Sequence, residues 1–413
     1  MKARLLKRVR QVYSDVINSI AFYPAIIALC FLVLSYVLLY IDFSPLGKAI
    51  KSRLDFISLR DASTARTIAA TIAAGILSLT VFSFSMVMIL LNQAASNMSN
   101  RVLDSMIGNR FQQWVLGFYI GTIVYALFLL STIRDIDTGI MVPALSVYLL
   151  ILLTILDIFL FIYFLHYVTQ SVKYETIIRR IYQKTKYELG RQCQEKGSVL
   201  VAPGPSGKVY TVKATESGYF QGFSKQGVVQ LCKDRNWLLR FSHATGTFVL
   251  QGTSVAEIET LKGLTDEQQE QLHALIDFHD GEPIEKSSFY GFKQLTEVAL
   301  KALSPGINDP GTAVLSLHAL AELLSYRLSH FPVVSFQDSE GVVRVITREH
   351  SFQDIFEQTM LPIWDYGHDD RTLRVALQQV LQQLQRQSIS PKDTATIRQM
   401  LQKVDTAIAD NVP

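Results

Sequence analysis

Up to about position 170 the apolar residues of the chain gather into four long runs; beyond it they come in short clusters at helical or strand spacing. The second run, TIAATIAAGILSLTVFSFSMVMILL at 67–91, has no charged residue. It is long enough to cross a bilayer core of about 30 Å as a helix. Thr71, Ser78 and Ser85 recur in it every seven residues, Asn92 continues the series, and Gly75 and Phe82 fill the gaps. On a helix these positions form one narrow stripe in which Ile89 is the apolar exception, while Ile76, Leu77, Val87 and Leu90 look elsewhere. A helix facing only lipid has no reason to align its hydroxyls. One that packs against other helices, or lines a water- or ion-filled path, does, and the spacing leaves both readings open.

The other runs span 21–41, 114–132 and 143–168. Pro24 falls in the first turn of its run, and Tyr36 and Tyr40 suit the far interface. The run behind the N-terminus is too long for the apolar region of a signal peptide, so a retained first span is expected. The polar, helix-compatible segment 92–113 is expected to carry the second helix out of the membrane, and IRDIDTG joins the third and fourth spans. Lys2, Arg4, Lys7, Arg8 and Arg10 precede the spans; Lys173, Arg179, Arg180, Lys184 and Lys186 follow them. Four spans put both groups on one side, which the positive-inside bias makes cytoplasmic. The basic loop 42–66 opposes this assignment and is outweighed by the two stronger clusters.

Asp157 lies near the middle of the fourth run. An acid at that depth is expensive and faces a bundle interior or a cavity. It reads either as a neutral carboxyl bonded to a Ser or Thr, such as those of the second span, or as an ion or proton relay. His166, nearer the end, reads as an interfacial side chain.

Five segments result. Residues 1–19 form a basic amphipathic helix, 20–171 a four-span membrane domain, and 172–196 a helical connector. Residues 197–253 form a small β-barrel-like domain, with SVLVA, KVYTVKA, GYFQGF, VVQLC, WLLRFS and TFVLQG as strands. Residues 254–413 are mainly helical, with one hairpin, PVVSFQ-DSEG-VVRVIT. Helix starts are expected at Thr265 with Gln268 as a capping box, at Ser287 or Ser288, at Ser351, at Asp369 or Asp370, and at Ser390-Pro391. Phe292, Leu295, Val298, Ala299 and Ala302 make one apolar helix face. In SPGINDP, Ser304 to Pro310, Pro305 stops a helix, Gly306 can take positive φ, Asp309 can cap, and Pro310 fits the first position of the next helix. Ser304, Gly306, Asn308 and Asp309 therefore mark a structural corner, or a ligand site at a helix N-terminus. The fold class expected is an α-helical membrane protein of four spans with a C-terminal cytosolic α+β region.

With 413 residues and 49% hydrophobic positions, the chain can hold both a membrane bundle and a soluble core. A net charge of +3, spread rather than banked, argues against a nucleic-acid partner. Cys30, Cys193 and Cys232 support neither a disulfide frame nor a zinc site. His273 and Asp277, four apart, with His279 and Asp280 beyond, have donor types that suit zinc, but spacing alone favours a solvated helix end. There is no Walker loop, dinucleotide fingerprint or HExxH motif, and no nucleophile elbow surrounds Ser304. No enzyme activity, metal or cofactor is expected.

ALKALSPGINDPGTAV, ARTIAATIAAG, Phe84-Ser85, QAASNMSNR, SGYFQGF and GTFVLQG together resemble the bacterial membrane proteins grouped as domain of unknown function 2254. The resemblance covers nearly the whole chain. It implies a four-span N-terminal part, a cytosolic C-terminal region and a place in the bacterial inner membrane, and it implies no established activity. Relatives tend to carry an Arg and an Asp where this chain has Glu282 and Ser287. The functional expectation is an oligomeric channel or transporter for a small ion or solute, with the second span lining a path and the cytosolic part regulating it. A homo-oligomer is expected because four helices are few to enclose a path alone. The alternative is a membrane-anchored sensor or scaffold whose cytosolic part binds a ligand or a protein.

Overall fold

The computed structural model describes residues 19, 21–45, 47, 49, 59, 61–97, 110–133, 142–195, 207–279 and 283–410. The expected basic helix at 1–19 and strand SVLVA, and the residues Asp280 and Glu282, lie outside them, Ser19 excepted. The chain divides between Lys173 and Tyr174 into two compact units.

The first unit holds four helices long and apolar enough to cross a membrane: α1 (Phe22–Phe43), α2 (Ala62–Asn97), α3 (Arg110–Thr132) and α4 (Ala144–Ser171). Glycines set the closest approach. A Cβ on Gly117 of α3 would lie 2.5 Å from Ile27 Cδ1 and 3.2 Å from Pro24 Cα; one on Gly121 would lie 2.7–3.0 Å from the Phe31 ring. GFYIG at 117–121 is thus a small-xxx-small seam that lets α1 and α3 meet closely. On α2 the inward ridge is alanine: Ala65, Ala69 and Ala73, four apart, share a core with Tyr125, Ala126 and Leu129 of α3 and Val147 and Leu150 of α4.

Two charged side chains close helix ends in this unit. Asp42, buried at the end of α1, accepts from Leu145 N (3.2 Å), Ser146 N (2.8 Å) and Ser146 Oγ (2.7 Å), so it caps the start of α4 from another helix. Arg66 on α2 donates through Nε and Nη2 to the Ile133 carbonyl just past the end of α3, at 3.2 and 3.1 Å. At least one of the basic residues that counted against the orientation assignment therefore has a structural task.

The second unit opens with α5 (Tyr174–Gln192), the expected connector. It is no bare linker, since Ile177, Ile178, Ile181, Thr185 and Leu189 are buried. After β1 (Cys193–Gln194) come β2 (Lys208–Lys213), β3 (Gly218–Phe223), α6 (Lys225–Arg235), β4 (Leu238–Ala244), β5 (Phe248–Val249) and β6 (Ser254–Thr260). VVQLC is therefore helical, not a strand. Val228 and Cys232, one turn apart, enter the core, and Asn236 ends the helix at φ 54°, where Trp237 N reaches the Cys232 carbonyl. Tertiary packing here overrides the strand preference of the valines.

The sheets also extend beyond 197–253. α7 (Asp266–His273) and β7 (Ile276–His279) are followed by the helices α8 (Ser288–Ala302) and α9 (Pro310–Ser329), then β8 (Phe331–Pro332), β9 (Ser335–Gln337) and β10 (Val343–Arg348). The five-stranded sheet runs β2-β6-β4-β10-β9, with β4 and β10 parallel and the other neighbours antiparallel; β5-β3-β7 form a second sheet, and β1 pairs with β8. Ile258 of β6 sits between Tyr210 and Leu239, so a strand outside the expected module holds it together. The expected 332–347 hairpin forms as β9 and β10, and Arg344 ties it to the α6 cap, bonding Asp338 at 2.8 Å and Asn236 at 2.7 Å.

Three helices complete the chain: α10 (Phe352–Gly367), α11 (Arg371–Gln387) and α12 (Pro391–Ala409). The caps are the expected ones: Thr265 with Gln268, Ser287, Ser351, Asp370, and Ser390 before Pro391. Phe292, Leu295, Val298, Ala299 and Ala302 are all buried on α8.

Arg327, 5% exposed near the end of α9, donates to the carbonyls of His330 and His350 and lies 3.7 Å from Cys193 Sγ. Glu349 sits beside it, and burial pushes its carboxyl up to about 7 despite Arg327 and Lys225 nearby. A carboxyl whose native pKa is raised stabilises fully below its unfolded value, near 4.5, and loses that contribution as pH rises through about 7. Glu349→Gln removes this loss. Its stability relative to the natural protein should therefore climb between pH 4.5 and 7.5, by on the order of 3 kcal/mol. Melting of the full-length protein across that range checks this; a difference independent of pH would refute it. His350, held low by burial, acts with the opposite sign in both proteins and drops out of the comparison.

Candidate functional site

The striped residues of α2 face away from the other three spans. Thr71, Ser78, Ser85 and Asn92 are all exposed, as are Leu77, Val81 and Phe82, whereas Ala65, Ala69, Ala73, Ile76 and Ser83 are buried. At about 100° per residue, the stripe and the alanine ridge lie on opposite faces. Ser78 Oγ donates to the Ala74 carbonyl (3.0 Å) and Ser85 Oγ to the Val81 carbonyl (2.9 Å), the usual refuge of a hydroxyl on a membrane helix. The polar stripe therefore does not pack inside the protomer.

Asp157 does not meet that stripe. It is fully buried on α4, beside Thr122 of α3; Tyr119, three residues earlier on the same face of α3, is also near it, and Ser83 of α2 adjoins Tyr119. Ser83, Tyr119, Thr122 and Asp157 are 4%, 0%, 0% and 0% exposed. Although they are neighbours, Ser83 Oγ, Tyr119 Oη, Thr122 Oγ1 and both Asp157 carboxyl oxygens have no hydrogen-bond partner of acceptable geometry among the described residues. Ile76, Val115, Phe164 and Val168 pack with Tyr119 as an apolar cluster. Of the expected hydroxyl partners on α2, none of Thr71, Ser78 or Ser85 reaches the acid. Ser83 of α2 belongs to the group through its contact with Tyr119, and Tyr119 and Thr122 of α3 were not foreseen. The available signal was their i, i+3 spacing inside an apolar run. His166 is exposed.

In the C-terminal unit, the SPGINDP turn joins α8 to α9. Asp309 accepts from Thr312 N (3.1 Å) and Thr312 Oγ1, and Pro310 takes the first turn of α9. Ser304 Oγ bonds the Lys301 carbonyl at 2.6 Å. The residue with positive φ is Asn308, at 46°, not Gly306. Asn tolerates the left-handed region, and there its N–H reaches the Ser304 carbonyl while Asp309 N reaches that of Ala302. The hydrogen bonds of this turn thus run within it or to the adjoining ends of α8 and α9. Ser287 caps α8, accepting from Phe289 N. His273 ends α7, whereas Asp277 and His279 belong to β7, so the pair 273/277 does not share a helix face. Asp277 pairs instead with Lys286 at 3.3 Å. A cleft of about 650 Å³ lies against α9 and α11, lined in part by Lys186, His318, Glu322, Tyr326, Gln383 and Gln387.

Comparison with known proteins agrees with the membrane architecture. Uncharacterized proteins of Mycobacterium bovis and of Mycobacterium tuberculosis strain H37Rv are each 24% identical over 346 residues, covering 81% of this chain and 66% of theirs. The chain thus spans just under two thirds of the length of these relatives. No solved structure matches it. The model of the family described as predicted membrane protein (DUF2254) matches residues 17–383, and the chain belongs to that family.

Proposed function

We propose that this is a channel- or transporter-like protein of the bacterial inner membrane, with both termini cytoplasmic. In this reading it assembles as a homo-oligomer in which α2 of each protomer lines a path for a small ion or solute. The C-terminal unit regulates that path. The observation that carries the reading is the outward position of Thr71, Ser78, Ser85 and Asn92. A line of hydroxyls left exposed among the described residues gains a role when other copies bring their α2 helices to face it.

Flux in proteoliposomes tests this. Ser78→Leu and Ser85→Leu, each assembling normally, should cut flux by roughly tenfold or more, because a bulky apolar side chain dewets a narrow path. Absence of flux in the natural protein under voltage, tension or a pH gradient would overturn the reading. The sensor or scaffold reading would then take its place, with the cleft against α9 and α11 as the obvious place for a ligand.

A further inference from the structure

We infer that the Asp157 cluster binds a small monovalent cation of the Na+ class, inside the protomer and between α2, α3 and α4. The inference does not depend on a path along α2. Three observations on this cluster point the same way.

The first is how the hydroxyls are oriented. Elsewhere on these helices Ser78, Thr80, Ser85, Thr154 and Thr169 bond back to a carbonyl one turn earlier. Ser83 and Thr122 make no such bond although they are buried. A hydroxyl that forgoes its own backbone in an apolar setting loses free energy unless another partner engages it. The second is convergence. Three helices contribute five oxygens from four neighbouring side chains: Thr122 lies against the Asp157 carboxylate and Ser83 against Tyr119, yet none of these oxygens completes a hydrogen bond of good geometry with a described residue. A proton on Asp157 would serve one of these oxygens, whereas a small cation engages several at once.

The third is the donor chemistry. All the ligands are oxygen, one of them is a carboxylate, and there is no His, Cys or second acid in the group. Hard oxygen donors exclude the softer transition metals, and a single carboxylate is too little charge for a dedicated calcium or magnesium site. One negative charge matched by one positive charge also leaves the buried site neutral, which an apolar membrane interior requires.

The test uses the full-length protein in detergent or nanodiscs, with Na+ itself as the probe. Binding of radioactive sodium should be saturable, and NaCl should raise the melting temperature above that in choline chloride at matched ionic strength. Asp157→Asn should abolish both effects, and Thr122→Val, which keeps the shape of the side chain, should weaken sodium binding about tenfold. Thr169→Val, whose hydroxyl bonds its own helix, should behave as the natural protein does. The inference is overturned if sodium and choline act alike on the natural protein, or if the sodium effects persist in Asp157→Asn or at full strength in Thr122→Val. A natural protein indifferent to sodium, together with a more stable Asp157→Asn, would identify a buried neutral acid instead. Loss of flux in the α2 variants with sodium binding intact, or the reverse, separates this inference from the oligomeric path.

Discussion

Gly121→Leu is expected to part the first span from the third. The Cβ alone would fall 2.7–3.0 Å from three atoms of the Phe31 ring, and the rest of a leucine has no room beyond it. Phe31 cannot swing aside freely, since it is buried and meets Phe118 edge-on with ring centroids 5.6 Å apart. Overpacking of this kind costs about 1–3 kcal/mol where the surroundings can yield, and more where they cannot. Gly117→Leu should act similarly, because the Pro24 backbone adds a wall that no rotamer change can move. The measurement is thermal stability and monodispersity of the detergent-solubilised protein. Both variants should melt well below the natural protein, and Phe31→Ala should restore part of the loss in Gly121→Ala. Unchanged melting of Gly121→Leu would mean that α1 and α3 are not in close contact.

Gly291→Ala should strike the C-terminal unit as hard. The added methyl would lie 1.8 Å from Thr185 Oγ1 and 2.8 Å from both Cβ and Cγ2 of that residue. Turning Thr185 about χ1 brings no relief, because every rotamer keeps the Cβ in place. Its hydroxyl is also engaged with the Ile181 carbonyl at 2.7 Å. α5 and α8 must therefore separate, through a face that includes Ile181, Leu189, Phe292 and Leu295, all buried. A loss of about 3 kcal/mol corresponds to a melting temperature roughly 6–12 °C lower for a unit of this size. Thr185→Ala in the same chain should recover part of it, and the shortfall from additivity would measure the contact. If the two substitutions simply add, the contact is not what places α5.

What could be read without coordinates is local. Four apolar runs gave four helices because a bilayer demands some twenty apolar residues in succession and leaves the backbone no partner but itself. Thr265, Ser287, Ser351, Asp309 and Ser390 start helices where their side chains reach N–H groups two or three residues on, an interaction written wholly within a few positions. VVQLC failed the same local logic, since two valines prefer a strand and only the core around Trp237 and Ile276 made it a helix. The five-stranded sheet failed it too: β4 pairs in parallel with β10, more than a hundred positions later, and no local pattern names so distant a partner.

The membrane unit divides in the same way. The stripe on α2 was legible because seven-residue spacing is a property of one helix. Its direction was not, because which face of a helix turns inward depends on what the other helices present; here Ala65, Ala69 and Ala73 accept close neighbours better than threonine and serine do. Asp157 stood out on the sequence as an acid in a lipid-depth run, yet its companions Ser83, Tyr119 and Thr122 come from two other spans and read singly as ordinary polar residues. The sequence determined that four helices are long and apolar enough to cross a membrane and that one carries an acid in its middle. Only the tertiary structure decided which oxygens surround that acid, because proximity across helices is set by the summed packing of Gly117, Gly121 and the alanine ridge and not by any one segment.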